Sequence, residues 1–107
     1  MKQFIPVLTN LNLSSAEISL YLLLLERDST NIAQLVSATA YHRPRIMQLL
    51  ATLKIKNLVV ETHVGKRTQY KAASPHVLVE RAKQILHDTK HSLPELLTHQ
   101  QKNKHKD

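Results

Sequence analysis

Apolar residues recur along this chain with two different spacings, and each change of spacing marks a boundary between elements. Residues 3–10 form an apolar-rich stretch with Pro6 where a first helical turn would lie, a position at which a missing N–H costs little. The stretch ends at Asn10-Leu11-Asn12-Leu13, where Asn12 is the residue best able to take the left-handed conformation. Ser14-Ser15-Ala16-Glu17 has the form of a capping box and predicts a second helix running to about Asp28. Ile18, Tyr21, Leu22 and Leu25 mark one face of that helix, while Leu20, Leu23 and Leu24 fill much of the rest. A helix apolar nearly all round must be covered on more than one side. In so small a domain a second subunit is a natural cover, which makes Leu20 and Leu24 candidate dimer contacts. A third helix over about 31–37, capped by Thr30 or Asn31, turns Ile32, Leu35 and Val36 inward, and Ser37-Ala38-Thr39-Ala40 is the turn after it. The fourth helix runs from about Arg43 to Lys56, with Pro44 in its first turn and Asn57 as its C-cap. Ile46, Leu49, Leu50 and Leu53 form its core face.

The period then switches from helical spacing to strict alternation. Leu58–His63 and Thr68–Ala72 read as two strands, joined through Val64-Gly65-Lys66-Arg67, which holds the only glycine of the chain. Helical spacing returns after Ser74-Pro75, an N-cap and N1 pair. Leu78, Ala82, Ile85, Leu86, Leu93, Leu96 and Leu97 keep three- and four-residue steps, as a helix-pairing seam does. Pro94 predicts a kink or break near Ser92, and Gln100–Asp107, without an apolar residue, is expected to be disordered. The architecture so predicted is mainly α with a small β-hairpin. It is a winged helix-turn-helix over residues 1–73, a long C-terminal dimerisation helix over 74–99 and a basic tail over 100–107.

Charge sharpens this picture. Lys plus Arg number 15 against 8 Asp plus Glu, a net charge of +7. Between Ser29 and Val79 stand seven cations (Arg43, Arg45, Lys54, Lys56, Lys66, Arg67 and Lys71) and a single acid, Glu61. A field of one sign favours a polyanionic partner, nucleic acid first and an anionic membrane surface second. Cysteine is absent, which excludes disulfides and thiolate metal sites and fits a reducing cytoplasm. The longest fully apolar run, Leu20–Leu25, is far short of the ~20 residues of a membrane span. No phosphate loop, nucleophile motif or framed carboxylate pair stands out, so an enzyme is the least favoured class.

Leu11-Asn12-Leu13-Ser14, the helix with Glu17 and Tyr21, Asn31-Ile32-Ala33, Arg43 through Leu58, and Gly65-Lys66-Arg67 followed by Tyr70 and Lys71 resemble the N-terminal winged-helix domain of TrmB-type transcriptional regulators. The resemblance spans roughly residues 4–97. Where the family usually has glycines this chain carries Asn12, Ala40 and Asn57, and asparagine tolerates left-handed geometry. Larger members of the family carry a C-terminal sugar-binding domain, and nothing in this sequence follows the last helix. The resemblance therefore implies DNA binding, with no small-molecule effector evident.

The fourth helix is the recognition candidate. Its N-terminal side carries His42, Arg43, Arg45 and Gln48, with Thr39 and Tyr41 just before it. Arginine can pair two donors with the acceptor edge of guanine, and glutamine can bridge adenine. Free amides at the helix start favour phosphate. Lys66 and Arg67 at the hairpin tip suit phosphate or a minor-groove edge. The expected partners are double-stranded DNA and a second copy of the chain, joined through Leu20, Leu24, Leu78, Ala82, Ile85, Leu86 and Leu93. No cofactor is implied. The runner-up is a winged helix that holds a partner protein through the same groove or the long helix. A metal-responsive repressor using His87 and His91, with His99 further along the helix and only Asp88 and Glu95 in reach, is the least favoured of the three.

Overall fold

The structure, a computed structural model, describes residues 3–104, with side chains through Lys102. Its elements are α1 (Phe4–Asn10), α2 (Ser15–Leu25), α3 (Ile32–Ala38), α4 (Arg43–Ile55), β1 (Val59–Val64), β2 (Arg67–Ala72) and α5 (His76–Lys104). Helix α2 opens with the expected capping box: the Glu17 amide donates to Ser14 Oγ at 3.2 Å, and the Ser14 amide donates to Glu17 Oε1 at 2.9 Å. It ends at Leu25, earlier than the expected Asp28. Helix α3 starts with a second capping box, Asn31 with Gln34, which settles the cap on Asn31.

The two asparagines do the left-handed work at the helix ends. Asn12 has φ 73° and Asn57 has φ 64°. After α4 the Leu58 amide donates to Leu53 O (2.9 Å) and the Asn57 amide to Lys54 O (3.0 Å). This is the bonding of a Schellman motif, with Leu53 and Leu58 both fully buried beneath it. Asn57 thus turns the chain out of α4 directly into the hairpin.

Strands β1 and β2 pair antiparallel with Val64 opposite Arg67, which leaves Gly65 and Lys66 as a two-residue turn. Gly65 has φ +63°, and of the two turn residues it alone is left-handed. Glycine in the first central position is the mark of a type II′ hairpin turn, whose twist suits the flanking strands. Arg67, expected at the tip, is instead the first residue of β2, because the turn closes in two residues rather than four. A third short pairing was not expected from the sequence. Thr30 and Tyr70 exchange backbone hydrogen bonds of 3.0 and 2.7 Å, tying the α2–α3 loop to the inner edge of β2.

Tyr21, Leu20, Leu24, Leu35, Ile46, Leu53 and Leu58 are the largest apolar side chains fully buried in the core. Leu20 and Leu24, expected to face a second subunit, are each only 1% exposed. Helix α2 lies against α1, α4 and β2, so Leu20 and Leu24 are covered by their own chain, while Leu22 and Leu23 are half-buried and Leu25 is exposed. Leu20 and Leu24 are core residues and not dimer contacts.

Helix α5 breaks two further expectations. It runs unbroken through Pro94, so of the kink or break expected near Ser92 the break does not occur. Pro94 removes the bond to a single carbonyl, that of Lys90, which is exposed to water. The stretch expected to be disordered from Gln100 is helical as far as Lys104, where cations complement the negative end of the helix dipole, and the rest of it lies outside the described residues. Only the first turn of α5 reaches the core, through Val77 and Leu78. Arg81 Nε then donates to Leu11 O at 2.7 Å, and beyond it the helix stands free of the domain, exposed on every side. At about 1.5 Å per residue it is about 43 Å long, and it accounts for the elongated outline of 63 × 33 × 25 Å.

Candidate nucleic-acid interface

Helix α4 is fixed in the domain by Ile46, Leu49, Leu50 and Leu53, all buried, so the opposite side of the helix is outermost. His42 is its N-cap residue but makes no side-chain capping bond, and Pro44 follows in the first turn. The first amides of the helix are therefore not engaged by a cap side chain.

The candidate side chains divide into two groups around this helix. Arg45 and Gln48, one turn apart, are joined by a hydrogen bond from Arg45 Nη1 to Gln48 Oε1 of 2.7 Å. They border a shallow groove on the α2 side, shared with Ser14, Glu17, Thr52 and Lys56. Arg43 lies on the other flank, in a groove with Asn31, Ile32, Ala33, Thr68 and Tyr70 between α3 and the hairpin. The two arginines therefore straddle the helix. Thr39 and Tyr41 are held by the fold. Thr39 Oγ1 donates to Leu35 O (2.8 Å) and accepts from the Tyr41 amide (3.2 Å), while the half-buried Tyr41 ring packs on the core. Lys66 is exposed in the hairpin turn, and Arg67 is exposed opposite Val64 on β2.

Acidic neighbours sort the seven central cations in a way the sequence does not display. Lys54 pairs with Glu61 (3.4 Å), Lys56 with Glu17 (2.9 Å), and Lys71 with Asp28 (3.7 Å). Among the described residues no carboxylate pairs with Arg43, Arg45, Lys66 or Arg67. These four cluster at the start of α4 and the tip of the hairpin, so the positive field is narrower than composition suggests.

Two carboxylates do structural work behind this surface. Burial pushes the Glu17 carboxyl up, but the Ser14 amide and the bond and charge of Lys56 outweigh it and hold the group below the ordinary glutamate range. Lys56 Nζ also donates to Asn12 O (2.9 Å), so one ammonium ties the end of α4 to the turn before α2. Glu61 stands across the hairpin from Tyr70 and takes His63 as a further partner at 3.3 Å. Burial raises the Tyr70 hydroxyl, and the charge of Glu61 and a hydrogen bond with it raise it further.

Apolar residues flank Gln48 at the centre of this face. Pro44, Met47, Gln48, Ala51 and Ile55 form a single outward stripe, with Met47 50% and Ile55 80% exposed. In the sequence the stripe shows as the i, i+3, i+4, i+7, i+11 spacing opposite the core face.

On α5, the His87 and His91 rings meet edge to face with centroids 4.3 Å apart. Among the described residues no cluster of three or more metal-ligating side chains forms, and no helix is long and apolar enough to cross a membrane.

Comparison with known proteins now bears on this geometry. Residues 8–76 match the family model of the sugar-specific transcriptional regulator TrmB. Comparison with curated proteins gives no significant match. Among solved structures, an ArsR-like transcriptional regulator from Rhodococcus sp. RHA1 superposes with a TM-score of 0.60 at 19% identity, over 89% of this chain and 87% of that one. TrmBL2, an archaeal chromatin protein described as having a novel mode of DNA binding, gives 0.63 at 22% identity. That match covers 91% of this chain but 41% of TrmBL2, so the present chain spans less than half of that relative's length. A ZitR mutant from Lactococcus lactis in apo form gives 0.55 at 16% identity, over 92% and 78% of the two chains. Likeness at these identities establishes a shared winged-helix fold, whereas the family match covers well over half of the sequence: the chain belongs to the TrmB family of transcriptional regulators.

Proposed function

We propose that this protein is a sequence-specific regulator that binds double-stranded DNA in the cytoplasm as a homodimer. In this reading α4 enters the major groove and the hairpin grips the flanking backbone. The observation that carries the reading is the set of four cations without carboxylate partners among the described residues, Arg43, Arg45, Lys66 and Arg67, gathered at the start of α4 and on the wing of a TrmB-family domain. An α-helix about 10–12 Å across fits a major groove about 12 Å wide. Arg45 and Gln48 supply base-edge donors and acceptors on one flank and Arg43 supplies donors on the other, with the free amides near His42 directed at phosphate. Lys66 and Arg67 suit phosphates beside the groove.

The dimer rests on α5. Ala82, Leu86, Thr89, Leu93 and Leu96 follow alternating steps of four and three, the a/d pattern of a coiled-coil seam. Thr89 Oγ1 donates to Ile85 O at 2.7 Å, so its hydroxyl is satisfied within the helix. Leu86, Leu93 and Leu96 are all exposed in the single chain, so a second copy laid along this seam would take their apolar surface out of water. Leu78 packs partly on its own core, so it borders this seam and does not form its centre.

The test is selection of binding sites from a random duplex pool, followed by salt titration of the winning duplex. The expected site is a near-palindrome with half-sites about 34 Å apart or a multiple of that. If all four cations meet phosphates, log affinity falls against log salt with a slope of about 3.6 per subunit. Absence of any duplex binding at low salt from a folded dimer would refute the proposal.

A further inference from the structure

We infer that the outward stripe of α4 reads thymine methyl groups, so that Met47 and Ala51 are specificity-determining residues for an A·T-rich half-site. The inference rests on the DNA-binding reading above and deepens it. The stripe is Pro44, Met47, Gln48, Ala51 and Ile55, and it contributes nothing to the core, which α4 completes with Ile46, Leu49, Leu50 and Leu53 on its other side. Half of Met47 is open to solvent, and Ala51 and Pro44 are exposed beside it. An apolar strip one side chain wide is too narrow for a protein interface core, and it is flanked by Arg43 on one edge and Arg45 on the other. That arrangement complements a major groove, where phosphates line both rims and base edges form the floor.

The floor offers one apolar group, the C5-methyl of thymine. Methionine, with its flexible polarizable thioether, adapts to such a methyl, and alanine allows close approach. Gln48 is the only residue of the stripe with hydrogen-bonding groups in its side chain, and it suits the adenine partner of that thymine. The bond from Arg45 orients the Gln48 amide and leaves its second lone pair and its NH2 free for the base. The stripe carries no carboxylate to accept from cytosine.

The probe is the duplex recovered by selection from a random pool, synthesised once with thymine and once with deoxyuracil at every thymine, which deletes the methyl and nothing else. Wild-type protein should bind the thymine duplex more tightly by about fourfold for each methyl covered. Met47→Ala, on an exposed helical site where alanine is a strong helix former, should leave the fold and the salt slope unchanged and bring the two affinities closer together. Equal affinity of the wild type for both duplexes overturns the inference and leaves the DNA-binding reading standing. A methyl effect that survives unaltered in both Met47→Ala and Ala51→Ser also overturns it. Failure of a folded protein to bind either duplex at low salt overturns both readings.

Discussion

Replacing Leu86 and Leu93 together by alanine should weaken the proposed dimer of this protein about a thousandfold. The two side chains are 55% and 52% exposed in the single chain, so roughly half of their apolar surface remains to be covered by a partner. Full burial of a leucine is worth about 1.5–3 kcal/mol, so covering the remaining half contributes about 1 kcal/mol for each. A twofold dimer counts every substitution twice. The double variant thus removes four half-burials, about 4 kcal/mol, which at 1.4 kcal/mol per decade raises the dimer dissociation constant by about a thousandfold. Leucine and alanine have similar helix propensity, so the helix itself should persist and far-ultraviolet circular dichroism should be unchanged. Sedimentation equilibrium over a range of concentrations reads the constant directly. Leu20→Ala is the matched control, because that side chain lies in the core of one subunit. It should cost about 2–5 kcal/mol of folding stability and leave the association constant of the folded protein alone. A double variant that dimerises as tightly as the wild type, or a wild type that is monomeric throughout the range, would refute the assignment of α5 as the seam.

Arg43→Ala and Arg45→Ala should each weaken binding to the selected duplex by about 1–3 kcal/mol if they contact base edges; unchanged affinity in both, read by fluorescence anisotropy, removes α4 from the interface. Lys66→Ala should reduce the slope of log affinity against log salt by about 0.9 per subunit while leaving sequence preference intact, measured by the same titration. Gly65→Val forces a β-branched residue to φ +63°, a penalty of at least about 1–2 kcal/mol confined to the wing, so DNA affinity should fall while the dimer measured by sedimentation survives. The depressed Glu17 carboxyl contributes stability that is fully present above the ordinary glutamate pKa of about 4.3 and lost as pH falls through its lowered native value. Glu17→Gln should therefore flatten the acid limb of a plot of melting temperature against pH; an unchanged acid limb would show that the bond with Lys56 is not responsible.

Local chemistry was legible in the sequence, and mutual coverage was not. The Ser14–Glu17 capping box, the left-handed Asn12 and Asn57 and the glycine turn involve residues a few positions apart, so residue type alone constrains them. Leu20 and Leu24 show the opposite case. Their apolarity announces burial, but only the packing of α1, α4 and β2 around α2 decides that the cover is intramolecular. Pro94 does not end the helix, because a proline costs it one internal hydrogen bond and in an exposed helix water can take up the freed carbonyl. Charge was the least legible at the site. The partners that neutralise Lys56 and Lys71 lie 39 and 43 positions away in sequence, so seven cations looked equivalent until three found carboxylates. Met47 went unnoticed because an exposed methionine on a helix is unremarkable until its neighbours on the same face prove apolar as well.

Helix α4, the hairpin and the base of α5 are held in one frame by a few polar bonds, and for the proposed dimer this has a consequence for specificity. Tyr21, fully buried in α2, donates its hydroxyl to Ala73 O (3.0 Å), at the point where β2 hands over to α5. The Thr30–Tyr70 pair fixes β2 to the loop before α3, and Arg81 fixes the second turn of α5 to Leu11 O. Lys56 completes the set by joining the last turn of α4 to Asn12 and Glu17. Hairpin, reading helix and the base of α5 are thereby bonded to the same helix, α2, and to the turn that precedes it. Turning α5 relative to α4 would break the part-buried bonds of Tyr21 and Arg81, and a buried hydrogen bond left unmade costs about 1–3 kcal/mol. A dimer built on α5 would hold its two α4 helices at a set distance and angle, so discrimination against wrongly spaced half-sites would come from the stiffness of this frame as well as from contacts to bases.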